Sequence, residues 1–594
     1  MFFVYLAFFY LQWLTLAFSF VIKPIASDNS QISITNEVGS PSSESKITNS
    51  KGKPLTGRFL HITDMHPDEF YREGASVDHY CHDYKHTSGF SKSPKAGHLS
   101  PGPGFECDSS PSLINKTLDW FSKHFEKDYG GIDFIIWTGD NSRHDNDNHF
   151  PRTKSEIIIS NEKTVDKMVE TFPDVPIVAA IGNNDVYPHN IMEGGSSSMT
   201  QALAGAWDAL IPTQEKHAFE KGGYYMVEVI PNRLAVIAFN SLYFSEKNAA
   251  VDGCPRKDPD DPGSFHIRWL RIQFSLLRQR KMYAWVASHV PPTRDQWYID
   301  CYDAFTDLLY EFRDVIVGQL YGHMNINHFF FLEFNKPPAD TSTLKSGGFQ
   351  IETAQPKYVK SLIENQYGEL PYVPDKPTSK FMEETVGKFS LASVGGSIIP
   401  EMFPNFRIYT YNTSGLNPQP SGSDGNNGLS DSIPNDYASQ LDELYRSNSV
   451  KDNEDLLPFT SDYESMKKKS RKKKKKKKNR RKKKIQPGPL GPAYVPMTFT
   501  PLSFQQIFLN TSNYMNATDE SEVDYKLLYD SRDQPYNMPS LTVFDYMRLA
   551  RRIAGVFDSN KKKKKKRRYK DITYTYLWHA YIGAVPSLGN PDDY

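Results

Sequence analysis

Five short motifs hold the side chains able to bind a cation and activate water. They are "DMH" with Asp64 and His66, "GDNSRHD" with Asp140 and His144, "GNND" with Asn183 and Asn184, "SHVPP" with His289, and "GHMN" with His323 and Asn325. Carboxylate oxygen, imidazole nitrogen and amide oxygen are donors that first-row divalent cations accept. A lone histidine of this kind is more often structural than a ligand. Five such motifs in succession, each directly after an apolar run, are not explained by chance. The chemistry they suggest is metal-assisted displacement.

The runs "RFLHIT", "IDFIIWT", "VPIVAAIG", "RLAVIAFN", "AWVAS" and "VIVGQLYG" predict strands, and "HFFFLEF" and "FRIYTYN" add two more. Between them, "SLINKTLDWFSKHFEK" and "FHIRWLRIQFSLLRQRK" carry the period of amphipathic helices. Alternation of apolar strands with helices predicts an α/β fold whose sheets are buried by helices. Loops at strand ends are where such a scaffold presents its chemistry. No internal repeat stands out. The expected organisation is an apolar anchor at 1–22, a Ser/Asn/Thr-rich stalk at 23–56 and a catalytic domain at 57–411. A disordered Ser/Asn/Lys-rich insertion at 412–500 follows, then a C-terminal segment at 501–594 that packs back on the body.

The motif order resembles the calcineurin-like metallophosphoesterase superfamily, whose pattern runs DxH, GDxxx, GNHD or GNHE, a lone His, then GHxH. Across roughly 57–411 and the aromatic C-terminal segment, the chain resembles the fungal vacuolar endopolyphosphatases. The resemblance implies an α/β metallophosphoesterase sandwich of two mixed β-sheets flanked by helices, with two divalent cations at the strand ends. It assigns Asp64 and His66 to the first cation, with Asn325 at the remaining position, and Asp140 as the bridge. Asn183, His289 and His323 fall to the second cation. Manganese, magnesium, zinc, cobalt and iron all stay open as the metal. The implied reaction is hydrolysis of internal phosphoanhydride bonds of inorganic polyphosphate, with two cations about 3.5–4 Å apart clamping the attacking and leaving oxygens.

Two positions depart from the pattern: Asn184 replaces the usual His of GNHD, and Asn325 replaces the final His of GHxH. An oxygen donor at Asn325 favours harder ions such as Mn²⁺ or Mg²⁺. His328 is a possible substitute, and a plain strand residue is the competing reading. The superfamily histidine at the Asn184 position assists the leaving group, so its loss would cripple ester cleavage. A phosphoanhydride leaves as a phosphate with a second pKa of about 6, which departs with little protonation. Asn184 therefore marks a site adapted to anhydrides. His144 stands as an acid or electrostatic stabiliser. Arg143 is either a contact to a nonbridging oxygen or a surface residue. A degraded, noncatalytic site is the opposing reading of both departures.

Charge is segregated. Formal net charge is zero, with 70 basic and 70 acidic side chains, yet residues 467–484 and 561–570 carry 25 of the basic ones and no acidic ones. The rest is thus about 25 charges negative, and the runs are local polycations rather than a basic groove. Residues 2–22 are apolar without a charge, long enough to span a bilayer, with a cleaved signal peptide as the competitor. Either reading sends the chain beyond Lys23 into a secretory lumen. Sequons at Asn115, Asn412, Asn510 and Asn516 agree. The resemblance makes that lumen the vacuole, with a single-pass type II topology.

Four cysteines in an oxidising compartment predict two disulfides, and pairing Cys81 with Cys107 and Cys254 with Cys301 closes the shortest loops. Zinc in "DHYCHDYKH" competes with a disulfide-pinned loop at Cys81. Residues 67–111, rich in Gly, Pro and Ser, follow the first motif and are expected at the rim of a substrate cleft. A lumenal setting argues against nucleic acid as partner of the Lys runs. Polyphosphate, which binds such a run by counterion release, fits better, and a solvated run without a partner is the plain alternative. Two competitors for the whole molecule remain: a phosphodiesterase like the acid sphingomyelinases, and a noncatalytic polyanion-binding membrane protein. Oligomeric state is not legible.

Overall fold

The computed structural model describes residues 47–82, 93–255, 258–335, 356–416, 485–511, 524–555 and 565–582. The expected anchor at 2–22, the stalk up to residue 46, the run 467–484 and Asn516 lie outside these residues. Among the described residues, no helix is long and apolar enough to cross a membrane.

Among the described residues, twelve strands form two six-stranded sheets. The first runs β12 (Lys526–Asp530), β11 (Pro501–Phe508), β10 (Asn405–Tyr411), β1 (Arg58–Ile62), β2 (Phe134–Trp137), β3 (Ile177–Ala179). The second runs β4 (Tyr225–Ile230), β5 (Leu234–Ala238), β6 (Tyr283–Ala287), β7 (Ile316–Tyr321), β9 (Phe389–Val394), β8 (His328–Glu333). Both sheets are mixed: β1, β2 and β3 are mutually parallel, as are β5, β6, β7 and β9, while their flanks pair antiparallel. The continuous apolar runs of β1, β2, β5 and β6 follow from this, because parallel strands are covered on both faces. Phe59 of β1 stacks on Phe134 and Tyr409 within its own sheet and meets Trp285 of β6 at 5.0 Å, joining the sheets through one aromatic core.

Helices cover the outer faces. The helix Pro111–Tyr129 begins at Ser110, whose side chain accepts from Leu113 N, and ends at Gly130 in the left-handed conformation. Leu113, Ile114, Leu118, Phe121 and Phe125 fall on one face at helical spacing and are buried. Full burial of one such side chain is worth about 1.5–3 kcal/mol. A second long helix, Pro262–Gln279, has the same design, with Asp261 as cap and Trp269, Leu270 and Phe274 inward.

The C-terminal segment completes the fold. β11 adds antiparallel to β10, Val543–Ile553 is a helix, and Lys565–Ala580 is a second one that hydrogen-bonds Asn327 N through Ala580 O. The start of this last helix is the end of the second Lys run. Residues 485–500 depart from the expected disordered insertion. Tyr494 and Phe499 are buried, and Arg313 donates to Gly488 O and Gly387 O, so this Pro/Gly-rich coil is packed. On the other side of 417–484, Asn412 N donates to Thr500 O, Phe499 N to Asn412 O, and Thr498 Oγ1 to Ser414 O. Both disulfides form, Cys81–Cys107 and Cys254–Cys301.

Candidate metal centre

The five motifs meet where the parallel strands of both sheets end. β1 delivers Asp64 and His66, β2 delivers Asp140, β3 delivers Asn183, β6 delivers His289, and β7 delivers His323 and Asn325. Turning each strand sharply into its ligand demands unusual backbone. Asp64, His66, Asp140, His323 and Asn325 all have positive φ, between 40° and 72°. Non-glycine residues rarely adopt this region and persist there only when their surroundings hold them, a pattern that concentrates at functional sites. The glycine before the ligand in "GNND" and "GHMN" has a separate cause. A Cβ on Gly182 would overlap Asp140 Oδ1, and one on Gly322 would overlap Thr63 Oγ1 and crowd Asp64 Oδ2.

Two sets of donor atoms gather within 4.8 Å of one another, Asp64–His66–Asp140 and Asp140–His289–His323, and Asp140 is common to both. His66 donates from Nδ1 to Ser142 O at 2.7 Å, and His289 from Nδ1 to Thr138 O at 2.8 Å. Each ring is thereby turned so that Nε2 faces the carboxylates, at 3.5 Å from Asp140 Oδ2 for His66 and 3.1 Å for His289. Backbone anchoring of the remote nitrogen is how metal-binding histidines are oriented. His323 N–H donates to Asp64 Oδ2 at 3.0 Å and ties the two loops together.

Electrostatics at the cluster are those of a cation site. Burial opposes charge on His66, but Asp64 and Asp140 outweigh it and raise the imidazole to about 10. His289 is raised against burial by Asp140 and Asp64 to about 9. His323 is lowered to about 3 by burial and by His289. Asp140 lies well below the usual carboxylate range: burial would raise it, and His289 and His66 overcome that. Protons on His66 and His289 neutralise the carboxylates here, and a bound cation would displace them. Asn325 Oδ1 is buried without a hydrogen-bond partner, and His66 Nε2 lies beyond hydrogen-bond distance of the Asp64 and Asp140 carboxylates, at 3.6 and 3.5 Å. The donor set fits divalent metal.

The amide residues act unequally. Asn183 donates from Nδ2 to His189 Nε2, leaving Oδ1 on His289 Nε2 at 2.9 Å. Asn184 turns inward instead, donating from Nδ2 to Asp140 Oδ2 and from its backbone to Oδ1. Asn325 donates from Nδ2 to Glu401 Oε2 at 2.9 Å.

Three acids escaped the motif reading. Asp185 is fully buried and accepts from Asp140 N, Asn141 N and Gly182 N, so one carboxylate braces the β2 and β3 loops. Asp108 accepts from His144 Nδ1 and His144 N, both at 2.7 Å, and with His66 and His144 forms a third set of converging donor atoms. Glu401 reaches Asn325 from the loop after β9. The only local signal for Asp108 is its place beside Cys107, where the Cys81–Cys107 bridge anchors the long 67–111 segment. Ser109 N donates to His66 O, which returns that segment to the cluster.

Other expected residues fall elsewhere. His144 stacks on His66 with ring centres 4.1 Å apart and keeps a quarter of its side chain exposed. Arg143 fits neither expectation: it is 3% exposed, paired with Glu156 at 2.6 Å, bonded to Phe150 O and laid over Phe70. Its guanidinium makes four hydrogen bonds within the protein, two to Glu156 and one each to His144 O and Phe150 O. Arg152 lies buried nearby, with Nη1 on Arg143 O and Asn184 O. His328 is a buried strand residue that bonds Ile326 O. The zinc reading of the Cys81 region fails because Cys81 is in a disulfide and His82 is held between Asp68 and Asp147.

Comparison with known proteins agrees with this geometry. The calcineurin-like phosphoesterase family model matches residues 57–326. An endopolyphosphatase of Schizosaccharomyces pombe is 59% identical over 569 residues, spanning 90% of this chain and 92% of that protein. An endopolyphosphatase of Saccharomyces cerevisiae is 32% identical over 579 residues, 84% of this chain and 83% of that one. One from Cryptococcus neoformans is 37% identical over 403 residues, 61% of this chain and 59% of that one.

Proposed function

The chain belongs to the endopolyphosphatase family, and on that premise we propose that the cluster between its sheets hydrolyses internal phosphoanhydride bonds of inorganic polyphosphate. It is a metal-dependent hydrolase of the calcineurin-like phosphoesterase type. The observation that carries the reading is the pair of donor sets sharing Asp140, built from five strand ends of two sheets.

Asp64, His66 and Asn325 would hold one divalent cation and Asn183, His289 and His323 the other, with Asp140 between them. Such a pair supplies positive charge for the phosphoryl oxygens and lowers the pKa of water. The Asn325 oxygen favours manganese or magnesium over softer ions. The chain's own residues do the rest. Asn184 holds both oxygens of Asp140 and offers no titratable group to the leaving phosphate. His144, which is partly open to solvent and fixed by Asp108, would meet the departing group. A phosphate leaving group with a second pKa of about 6 makes little demand on an acid there.

We place the reaction in an oxidising, vacuolar lumen, with residues 2–22 as a single-pass type II anchor. Two disulfides and the exposed sequon Asn115 support the lumenal setting. Long-chain polyphosphate resolved on a gel after incubation with and without Mn²⁺ tests the activity. Metal-dependent products of intermediate length are expected. Orthophosphate alone, or no shortening, would overturn the endo-cleaving reading.

A further inference from the structure

The replacement of an imidazole by Asn325 raises a question of orientation. A histidine presents a coordinating nitrogen only when its ring is anchored the right way round, and an amide likewise offers an oxygen on one side and a non-ligating NH₂ on the other. The side chain must therefore be held one way round to serve a cation. The Asn325 nitrogen donates to Glu401 Oε2, so it is the NH₂ end of the amide that faces Glu401. That bond is 2.9 Å long, and the two ends of the amide share one trigonal carbon. Pinning Nδ2 leaves Oδ1 as the free end, buried and without a hydrogen-bond partner.

Glu401 is itself fixed. Its loop donates Ile398 N to Thr63 O and Ile399 N to Asp64 O, and Glu401 O accepts from Gly104 N. The backbone that carries the carboxylate is thus anchored to the first ligand loop on one side and to the disulfide-pinned segment on the other. The second amide ligand repeats the arrangement with a different partner: Asn183 Nδ2 is held by His189 while Oδ1 faces His289.

We propose that Glu401 is a positioning residue of the metal centre, which selects the orientation of Asn325 and thereby presents its Oδ1 to the first cation in place of the missing histidine. This rests on the reading of the cluster as a two-cation site. The loss of a ring nitrogen at Asn325 is thus coupled to an acid some 76 positions away in the chain.

The test is calorimetric titration of Mn²⁺ into chelator-stripped full-length protein, with unfolding in chelator as the control for folding. Wild type is expected to take two ions per chain. Glu401→Ala is expected to weaken one ion by about 10–100-fold, the usual cost of losing an outer partner of a ligand. Glu401→Gln, whose Oε1 still accepts from Asn325, is expected to stay within about threefold of wild type. Asn325→Ala is expected to weaken the same ion, and adding Glu401→Ala to it to cost nothing further.

Equal affinity in Glu401→Ala and wild type would overturn the inference while leaving the two-cation site standing. So would Glu401→Gln losing as much as Glu401→Ala, or additive losses in the double variant. Wild type taking fewer than two ions would instead overturn the two-cation reading, and the inference with it. Glu401→Ser serves the same comparisons if Glu401→Ala does not fold.

Discussion

Asn184 grips Asp140 twice, with its backbone N–H 2.8 Å from Oδ1 and its side-chain Nδ2 2.9 Å from Oδ2. One of the two residues that break the superfamily pattern thus holds the carboxylate common to both donor sets. Asn184→Leu removes one charge-assisted bond to a buried acid, worth about 1.5–3 kcal/mol, and kcat on polyphosphate is expected to fall about 10–100-fold. Asn184→His should shift the ratio of activity on an alkyl phosphodiester to activity on polyphosphate toward the ester. An unchanged ratio of kcat/KM values would show that the position does not discriminate leaving groups.

Asp108 accepts both the backbone and ring N–H of His144. Asp108→Asn keeps one acceptor and loses the charge. The expected result is a fall in kcat of about tenfold or more with KM for long chains within about twofold. An altered pH profile of kcat would separate this from general loosening of the loop, which would move the melting temperature and leave the profile alone.

Glu215, 4% exposed, accepts Met226 N at 3.3 Å and has its carboxyl raised by burial from 4.5 to about 7, with Glu228 adding to the rise. The folded state therefore holds this proton more tightly than the unfolded chain does. Its stabilising effect is complete below about pH 4.5 and is lost as pH climbs through about 7. Urea unfolding is expected to show greater stability near pH 5 than near pH 8, by an amount on the order of 3 kcal/mol from this group. Glu215→Gln should flatten that difference, and a variant with the same slope as wild type would assign the effect elsewhere.

Deleting 467–484, with sixteen basic residues, removes the larger polycation from a body about 25 charges negative. KM for long polyphosphate is expected to rise at low salt, with kcat nearly constant and the difference vanishing as salt screens it. A KM unchanged at every ionic strength would make the run an unpartnered, solvated segment.

The strand ends were legible because each candidate ligand follows its apolar run within a few residues, so β2 and Asp140, or β7 and His323, are read together. An α/β fold followed from the alternation of buried strands with helices, and the two-sheet sandwich from the superfamily resemblance. Asp108, Glu401 and His189 were not legible, since each reaches its partner through a loop whose path depends on tertiary bonds such as Ser109 N to His66 O and Ile399 N to Asp64 O. Nothing in "FECDSS" or "IIPEMF" marks an acid as belonging to a site. Arg143 misled for the opposite reason: its neighbours Asp140 and His144 are in the cluster, but Glu156, thirteen residues on, captures the guanidinium. Residues 485–500, expected as part of a disordered insertion, are instead packed coil. Their order comes from single anchors such as Tyr494 and from Arg313 bonding to a carbonyl, which leaves no periodic signal.

The bonds Asn412–Thr500 and Ser414–Thr498 close the chain at the base of 417–484, and beyond them β10 lies against β11 along its length. All five motifs of the candidate metal centre precede this junction, and the strands and helices that complete the sheet follow it. Cleavage anywhere between the two would therefore change the molecularity of the enzyme before it changed the chemistry. The product would be a heterodimer of an amino-terminal and a carboxy-terminal chain, joined by a β-ladder. Its survival would become an association equilibrium that weakens on dilution, where the intact chain is indifferent to concentration.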